Sequence, residues 1–308
     1  MGSPQSDSIS KMFDEFADAQ KANPGMSIDE TRVLFGRIAT LTGEPSGVDY
    51  SDVIVEGIRC LWATPQGCAQ NRVLLALHGG GFIVGDRFSH RKLYAQVAKA
   101  VGIRALIVDY GRAPEHTFPS AVLECTEVYK WLLSQRIASS HIAVIGDSAG
   151  ANLSMSTILS VRNSMLPLPA AVVALSPWYD LEASGETFVT NAEFDRLVTR
   201  ESSLNLAQLY LAGCSPKDPL ANPLFADLSG FPPTYIQSGS HEVLLDDARC
   251  AERLMVKVGV DCRLDIFPEM QHVFHLMAGN SPEADEALTR IADWLRPRLG
   301  LESGEIRG

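Results

Sequence analysis

Positive charge is scarce in this chain: 26 lysines and arginines stand against 37 aspartates and glutamates over 308 residues, a formal net charge of −11. A surplus of that sign repels phosphate backbones and anionic lipid, so nucleic acid and membrane surfaces are excluded as partners. Long apolar runs are also missing, and none approaches the roughly 20 residues that cross a bilayer. The first thirty residues lack the apolar core of a secretory signal, so the expected location is the cytoplasm. Met1-Gly2-Ser3-Pro4-Gln5-Ser6 matches a myristoylation spacing, but a polar start or an expression remnant at Met1–Ser3 is the ordinary reading. The six cysteines form no Cys-x-x-Cys pair, and several lie in apolar runs where buried free thiols are usual. Neither a disulfide framework nor a structural metal is expected. Internal repeats and low-complexity segments are absent as well.

What the chain does have is apolar bulk, 46% of its residues, enough for one large α/β domain or two smaller ones. Up to about Pro45 the pattern is helical and amphipathic, carried by Phe13, Phe16, Val33, Leu34, Phe35 and Ile38 and broken at Pro24-Gly25. Alternation typical of antiparallel strands follows over 50–64. A βα rhythm then begins, with strands expected at 72–77, 103–109, 142–145, 171–175, 234–237 and 262–267. Helices are expected at 89–101, 120–136, 149–162, 246–258 and 282–299. Near-continuous apolar strands alternating with helices imply an α/β fold with a mostly parallel central sheet covered on both faces. One interruption, between Leu181 and Pro232, holds a helix at about 201–211 and several prolines. The chain reads as a single domain over 1–308, with a helical cap from about 1–45 and about 181–225 over the carboxyl edge of the sheet. A plain structural insertion is the other reading of that interruption.

Gly146-Asp147-Ser148-Ala149-Gly150 sits between an apolar strand and a helix. A turn of that kind needs small flanking residues and presents its central serine above the sheet, at a helix N-terminus that favours developing negative charge. A serine hydroxyl is a weak nucleophile near neutral pH, so it needs a base and an acid to orient that base. Only three histidines lie downstream of Ser148: His241, His272 and His275. His272 follows the last strand by a short loop, where a base is expected, and no carboxylate pattern makes a metal pair of His272 and His275. Glu242 is the first acid after the strand at 234–237 and is expected to orient the imidazole. Asp246 is the alternative, although Asp246 and Asp247 suit capping of the helix they open.

His78-Gly79-Gly80-Gly81-Phe82 follows the strand at 72–77. Consecutive glycines let backbone N–H groups approach a substrate oxygen. A phosphate loop is excluded, because no Gly-Lys-Ser/Thr follows and no acidic ribose ligand lies at the required spacing. The N–H groups of Gly80, Gly81 and Ala149 are the expected oxyanion donors, and His78 is expected to brace the loop. Phe82, Trp178 and Tyr179 are candidates for the substrate pocket, with core packing as the alternative for Trp178 and Tyr179. Phe13 and Phe16 are expected to dock an apolar helix face, with substrate contact as the alternative.

Together with Asp109-Tyr110-Gly111-Arg112-Ala113-Pro114-Glu115-His116, these motifs resemble the hormone-sensitive-lipase-like (bacterial family IV) esterases of the α/β-hydrolase fold. The resemblance runs from about Arg72 to Arg298. That group commonly carries Asp-Pro-Leu, with its aspartate as the triad acid, where this chain has Glu242-Val243-Leu244, so the resemblance carries Glu242 over as the acid by position. The resemblance implies a serine carboxylesterase acting on short- to medium-chain esters through an acyl-serine, with no cofactor and no metal. It also implies an N-terminal cap and pairing of two copies through the edge of the strand at 262–267. A lactone hydrolase, or a small-molecule amidase or deacetylase, would use the same machinery. A non-catalytic receptor on this fold, as in plant gibberellin receptors, is the alternative of another class; those lose the base histidine, whereas His272 is present.

Overall fold

The structure, a computed structural model, describes residues 2–302. Helices α1 (Asp7–Ala22) and α2 (Ile28–Phe35) come first, followed by the antiparallel strands β1 (Val48–Val55) and β2 (Ile58–Pro65). The alternating part runs β3 (Ala69–Leu77), α3 (Arg91–Val101), β4 (Ile103–Asp109), α4 (Ser120–Ser134), β5 (Ile142–Asp147), α5 (Ala149–Asn163) and β6 (Ala171–Leu175). Between the sixth and seventh strands lie a short helix α6 (Thr187–Thr190) and α7 (Arg200–Leu211). The chain then closes with β7 (Thr234–Gly239), α8 (Leu245–Lys257), β8 (Cys262–Phe267) and α9 (Pro282–Arg298). All eight strands form one sheet in the order β1-β2-β4-β3-β5-β6-β7-β8, parallel from β4 through β3 to β8.

The period of two along each central strand explains why both faces are covered. Val73, Leu75 and Leu77 of β3 face one core with Val122, Val128, Met155 and Met255. Leu74 and Ala76 face the other, with Phe13, Leu93, Val97 and Ile291. Helix α5 is buried from Ala149 to Val161 and runs through the middle of the molecule. This is the mostly parallel, doubly covered sheet that the alternation implies, and it agrees with the α/β-hydrolase fold that the motif resemblance implies. Several ends differ from the sequence pattern. Strands β5 and β7 run on to Asp147 and Gly239, because parallel pairing continues to Asp147↔Leu175 and Gly239↔Phe267. Helix α3 starts at Arg91 rather than 89, because Asp86 Oδ1 takes the Phe88 and Ser89 N–H groups into a turn. Helix α6 had no counterpart in the sequence pattern. No helix among the described residues is long and apolar enough to cross a membrane.

Candidate active site

The turn from β5 into α5 sets the geometry. Ser148 has φ 53° and ψ −119°, a strained conformation for a residue with a side chain. Its N–H donates to Leu175 O at 2.9 Å, and its carbonyl accepts from the Trp178 N–H at 3.2 Å. A methyl group on Gly146 would strike the Gly150 carbonyl, and one on Gly150 would strike the Leu77 carbonyl, so both positions need glycine. The turn therefore holds the Ser148 hydroxyl at the N-terminus of a buried helix.

The base and acid arrive on the loops after β8 and β7. His272 Nε2 lies 2.9 Å from Ser148 Oγ, and His272 Nδ1 lies 2.9 Å from Glu242 Oε2. The Glu242 side chain is fully buried. Its Oε1 accepts from the Ser176 hydroxyl at 2.7 Å and from the Gly239 N–H. Ser176 Oγ in turn accepts from the Val273 N–H at 3.0 Å, which ties the acid to the residue after the base. Burial works against a charged imidazole, but the hydrogen bond and charge of Glu242 outweigh it and hold His272 above its ordinary pKa. Burial raises Glu242 from the usual carboxylate range, and its bonds to His272, Ser176 and Gly239 oppose that rise.

Asp246, the other candidate acid, does not reach the imidazole. Its Oδ2 accepts from the Thr187 N–H at 3.0 Å, and its Oδ1 pairs with Arg249 at 3.1 Å. Nor does Asp247 cap α8: its Oδ2 accepts from Tyr179 N–H at 2.7 Å and Asp180 N–H at 2.8 Å. Both aspartates pin the chain after β6, a role that helix-end reasoning did not supply. His275 turns away from the site and approaches Gln237 Oε1 at 3.0 Å. Among the described residues no group of three or more His, Cys, Asp or Glu side chains is arranged to hold a metal ion.

The glycine loop after β3 lies across the same space. Gly80 and Gly81 line the cavity beside Ser148 and His272, and Ala149 is buried at the first position of α5. Among the described residues none of these three N–H groups is committed to a protein acceptor. The loop is braced from behind. Asp147 Oδ1 accepts from Gly79 N–H at 3.0 Å and from the Tyr94 hydroxyl at 2.5 Å, and His90 Nε2 lies 3.3 Å from Asp147 Oδ2. Burial alone would raise the Asp147 carboxyl, but His90 and Tyr94 bring it below the usual range. His78 stacks on Tyr110 at 4.1 Å and reaches Gly79 O at 2.8 Å through Nδ1. Tyr94 and His90 gave no local signal in the sequence, since their partners lie some fifty residues away.

The cavity above Ser148 has a volume of about 210 Å³. Its walls come from α1 and α2 (Phe13, Phe16, Leu34), from the stretch before α7 (Leu197, Val198) and from Leu206 of α7. Trp178 also lines it. Phe82 and Tyr179 do not, which corrects two of the pocket candidates. A positive φ at Phe82 turns its ring flat onto Tyr210, with ring centres 3.7 Å apart. Tyr179 is fully buried in the core, with its backbone N–H held by Asp247.

The chain matches the family described as the alpha/beta hydrolase fold over residues 74–276. It is 37% identical to an acetyl-hydrolase of Streptomyces hygroscopicus over 275 residues, 89% of this chain and 91% of that protein. An esterase of Acinetobacter venetianus is 31% identical, over 85% of this chain and 87% of its own length. Among solved structures, an esterase from the bacterial hormone-sensitive lipase family is 39% identical with a TM-score of 0.93, covering 97% of this chain and 100% of that one. An esterase/lipase from an uncultured bacterium superposes with a TM-score of 0.89 at 33% identity, over 97% of this chain and 99% of its own. With fold and motifs in agreement, this chain belongs to the α/β-hydrolase family, in its branch of bacterial hormone-sensitive-lipase-like esterases.

Proposed function

We propose that this protein is a serine carboxylesterase that cleaves short- to medium-chain esters through an acyl-serine intermediate. The observation that carries the reading is the unbroken relay Ser148 Oγ–His272 Nε2 and His272 Nδ1–Glu242 Oε2, each step 2.9 Å. An ionised Glu242 can only accept, so Nδ1 bears the hydrogen and Nε2 is left free to take the Ser148 proton. Attack by Oγ on the ester carbonyl then forms a C–O bond while His272 becomes imidazolium. The resulting oxyanion accepts from the N–H groups of Gly80, Gly81 and Ala149. Loss of one such donor costs about 3 kcal/mol in comparable sites. His272 next protonates the leaving alcohol, and a water molecule, deprotonated by the same imidazole, releases the acid from Ser148.

Cavity size supports small acyl groups: about 210 Å³ is below the ~300–1,000 Å³ of sites that take drug-sized ligands. The Streptomyces relative is named an acetyl-hydrolase, which points the same way. The six free cysteines suit the cytoplasm. Turnover of p-nitrophenyl acetate and butyrate by the wild type and by Ser148→Ala tests the reading. The expected result is a fall in kcat of several orders of magnitude, leaving the residual catalysis of the oxyanion donors and binding; turnover within about tenfold of wild type removes Ser148 from the chemistry.

A further inference from the structure

The stretch from α6 toward α7 touches the acid loop and the base loop at once. Asn191 Nδ2 donates to the carbonyls of Ser240 at 3.0 Å and Glu242 at 2.8 Å. Asp195 Oδ2 accepts from the Val243 N–H at 2.9 Å, immediately after Glu242 in the chain. Its other oxygen accepts from Leu197 N–H at 3.0 Å and Val198 N–H at 2.8 Å. Gln271, the residue before His272, accepts from Arg196 N–H at 3.0 Å and donates to Phe194 O at 2.9 Å. Asp195 is only 8% exposed. Among the described residues its hydrogen-bond partners are all backbone amides, and no lysine or arginine pairs with it. Removing a carboxylate from water is costly unless it is well hydrogen-bonded, so three amides aimed at one side chain make a built feature.

We propose that Asp195 is a positioning residue of the hydrolytic site: it fixes the loop that carries Glu242, and its charge favours the imidazolium that forms at His272 as Ser148 attacks. This inference rests on the proposed relay of Ser148, His272 and Glu242. Among the described residues, the ionisable groups that act on or lie beside the imidazole include Glu242, Asp195, Asp147 and His275. Burial opposes its protonation, Glu242 contributes most in favour, and Asp195 and Asp147 add to it. On the outer side of the stretch, His241 stacks on Phe194 with ring centres 5.0 Å apart. Leu197 and Val198, whose N–H groups Asp195 holds, also line the cavity. One carboxylate therefore ties the substrate wall to the acid loop.

The test is the pH profile of kcat/KM on p-nitrophenyl butyrate for wild type, Asp195→Asn, Asp195→Glu and Asn191→Ala, each checked for folding by circular dichroism. The active form carries a neutral imidazole, so a lost negative charge lowers its pKa and moves the acid limb to lower pH. For Asp195→Asn the expected result is an acid limb moved to lower pH, with kcat reduced by about tenfold and KM little changed. Asn191→Ala removes two bonds to the acid loop but no charge; its kcat should fall while its acid limb stays. A limb that stays put in folded Asp195→Asn, or moves equally in Asn191→Ala, overturns the inference. Should Asp195→Asn fail to fold, Asp195→Glu decides, because it retains the charge and must keep the wild-type limb; a downward shift there is fatal. Ser148→Ala separates the two readings. Near-wild-type turnover in that variant defeats the relay itself, whereas lost turnover with an unmoved Asp195→Asn limb defeats only the role of Asp195.

Discussion

Replacing Glu242 by glutamine keeps the size of the side chain and removes its charge, and the groups around it dictate the outcome. Three hydrogens point at this fully buried carboxylate: His272 Nδ1–H onto Oε2, and the Ser176 hydroxyl and Gly239 N–H onto Oε1. Two acceptor oxygens are needed, and an amide has one. If the new NH₂ faces His272, Nδ1 must give up its hydrogen. The imidazole then presents N–H to Ser148 and cannot take the serine proton. If the NH₂ instead faces Gly239, a buried N–H loses its acceptor, at about 1–3 kcal/mol. In either orientation the imidazolium loses its counter-charge.

The analogous loss of the orienting acid in a serine-protease triad costs about 10⁴ in kcat, roughly 5.5 kcal/mol. We therefore expect Glu242→Gln to lower kcat on p-nitrophenyl butyrate by about 10³–10⁴ with KM little changed. Asp246→Asn is the control: it perturbs one bond to Thr187 N–H and one to Arg249, neither near the imidazole, so its kcat should stay close to wild type. Kinetics on both variants, with thermal melts to confirm folding, decide the point. Glu242→Gln within about tenfold of wild type, alongside a collapse in Asp246→Asn, would transfer the orienting role to Asp246.

Gly80→Ala should cost kcat about 10²–10³, the scale of one lost oxyanion donor. A Cβ there would run into the Val84 carbonyl, and φ is +112°, so the loop must shift. Unchanged kcat in the folded variant would remove this loop from oxyanion binding. His275 predicts an acid-side loss of stability: burial pushes its pKa down to about 3, against ~6.5 in the unfolded chain. Its contribution is complete above the unfolded value and is lost as pH falls from ~6.5 toward 3, by at most about 4–5 kcal/mol. Urea melts at several pH values should show a shallower decline for His275→Gln than for wild type, and parallel slopes would contradict this. His78, pushed down to about 4 mainly by burial, acts in the same direction, so the difference between variant and wild type is the quantity to read.

The parts of the site legible in the sequence are those whose constraints are local. A serine at positive φ between two glycines can be read from five residues, because the backbone contacts that demand glycine lie within the turn or on the adjacent strand. The sheet was legible for the same reason, since the alternation of apolar side chains along β3, β4 and β5 is a property of each strand alone. Glu242 could be ranked above Asp246 only by its place after the strand, and β7 running on to Gly239 puts it still closer to the strand end. Side-chain direction was not legible. Phe82 reads as a pocket residue until its positive φ turns the ring onto Tyr210, about 130 residues away in the chain. Asp195 lies further out of reach of sequence reasoning. It sits in Asn191-Ala192-Glu193-Phe194-Asp195, a polar stretch like any surface loop, and the amide that links it to the acid loop belongs to Val243. A side chain whose partners are main-chain N–H groups imposes no residue type on them, because any residue but proline can supply the donor. Such a contact leaves no complementary residue to find at the far end, so a buried carboxylate held by amides has to be located in three dimensions before its charge can be tested.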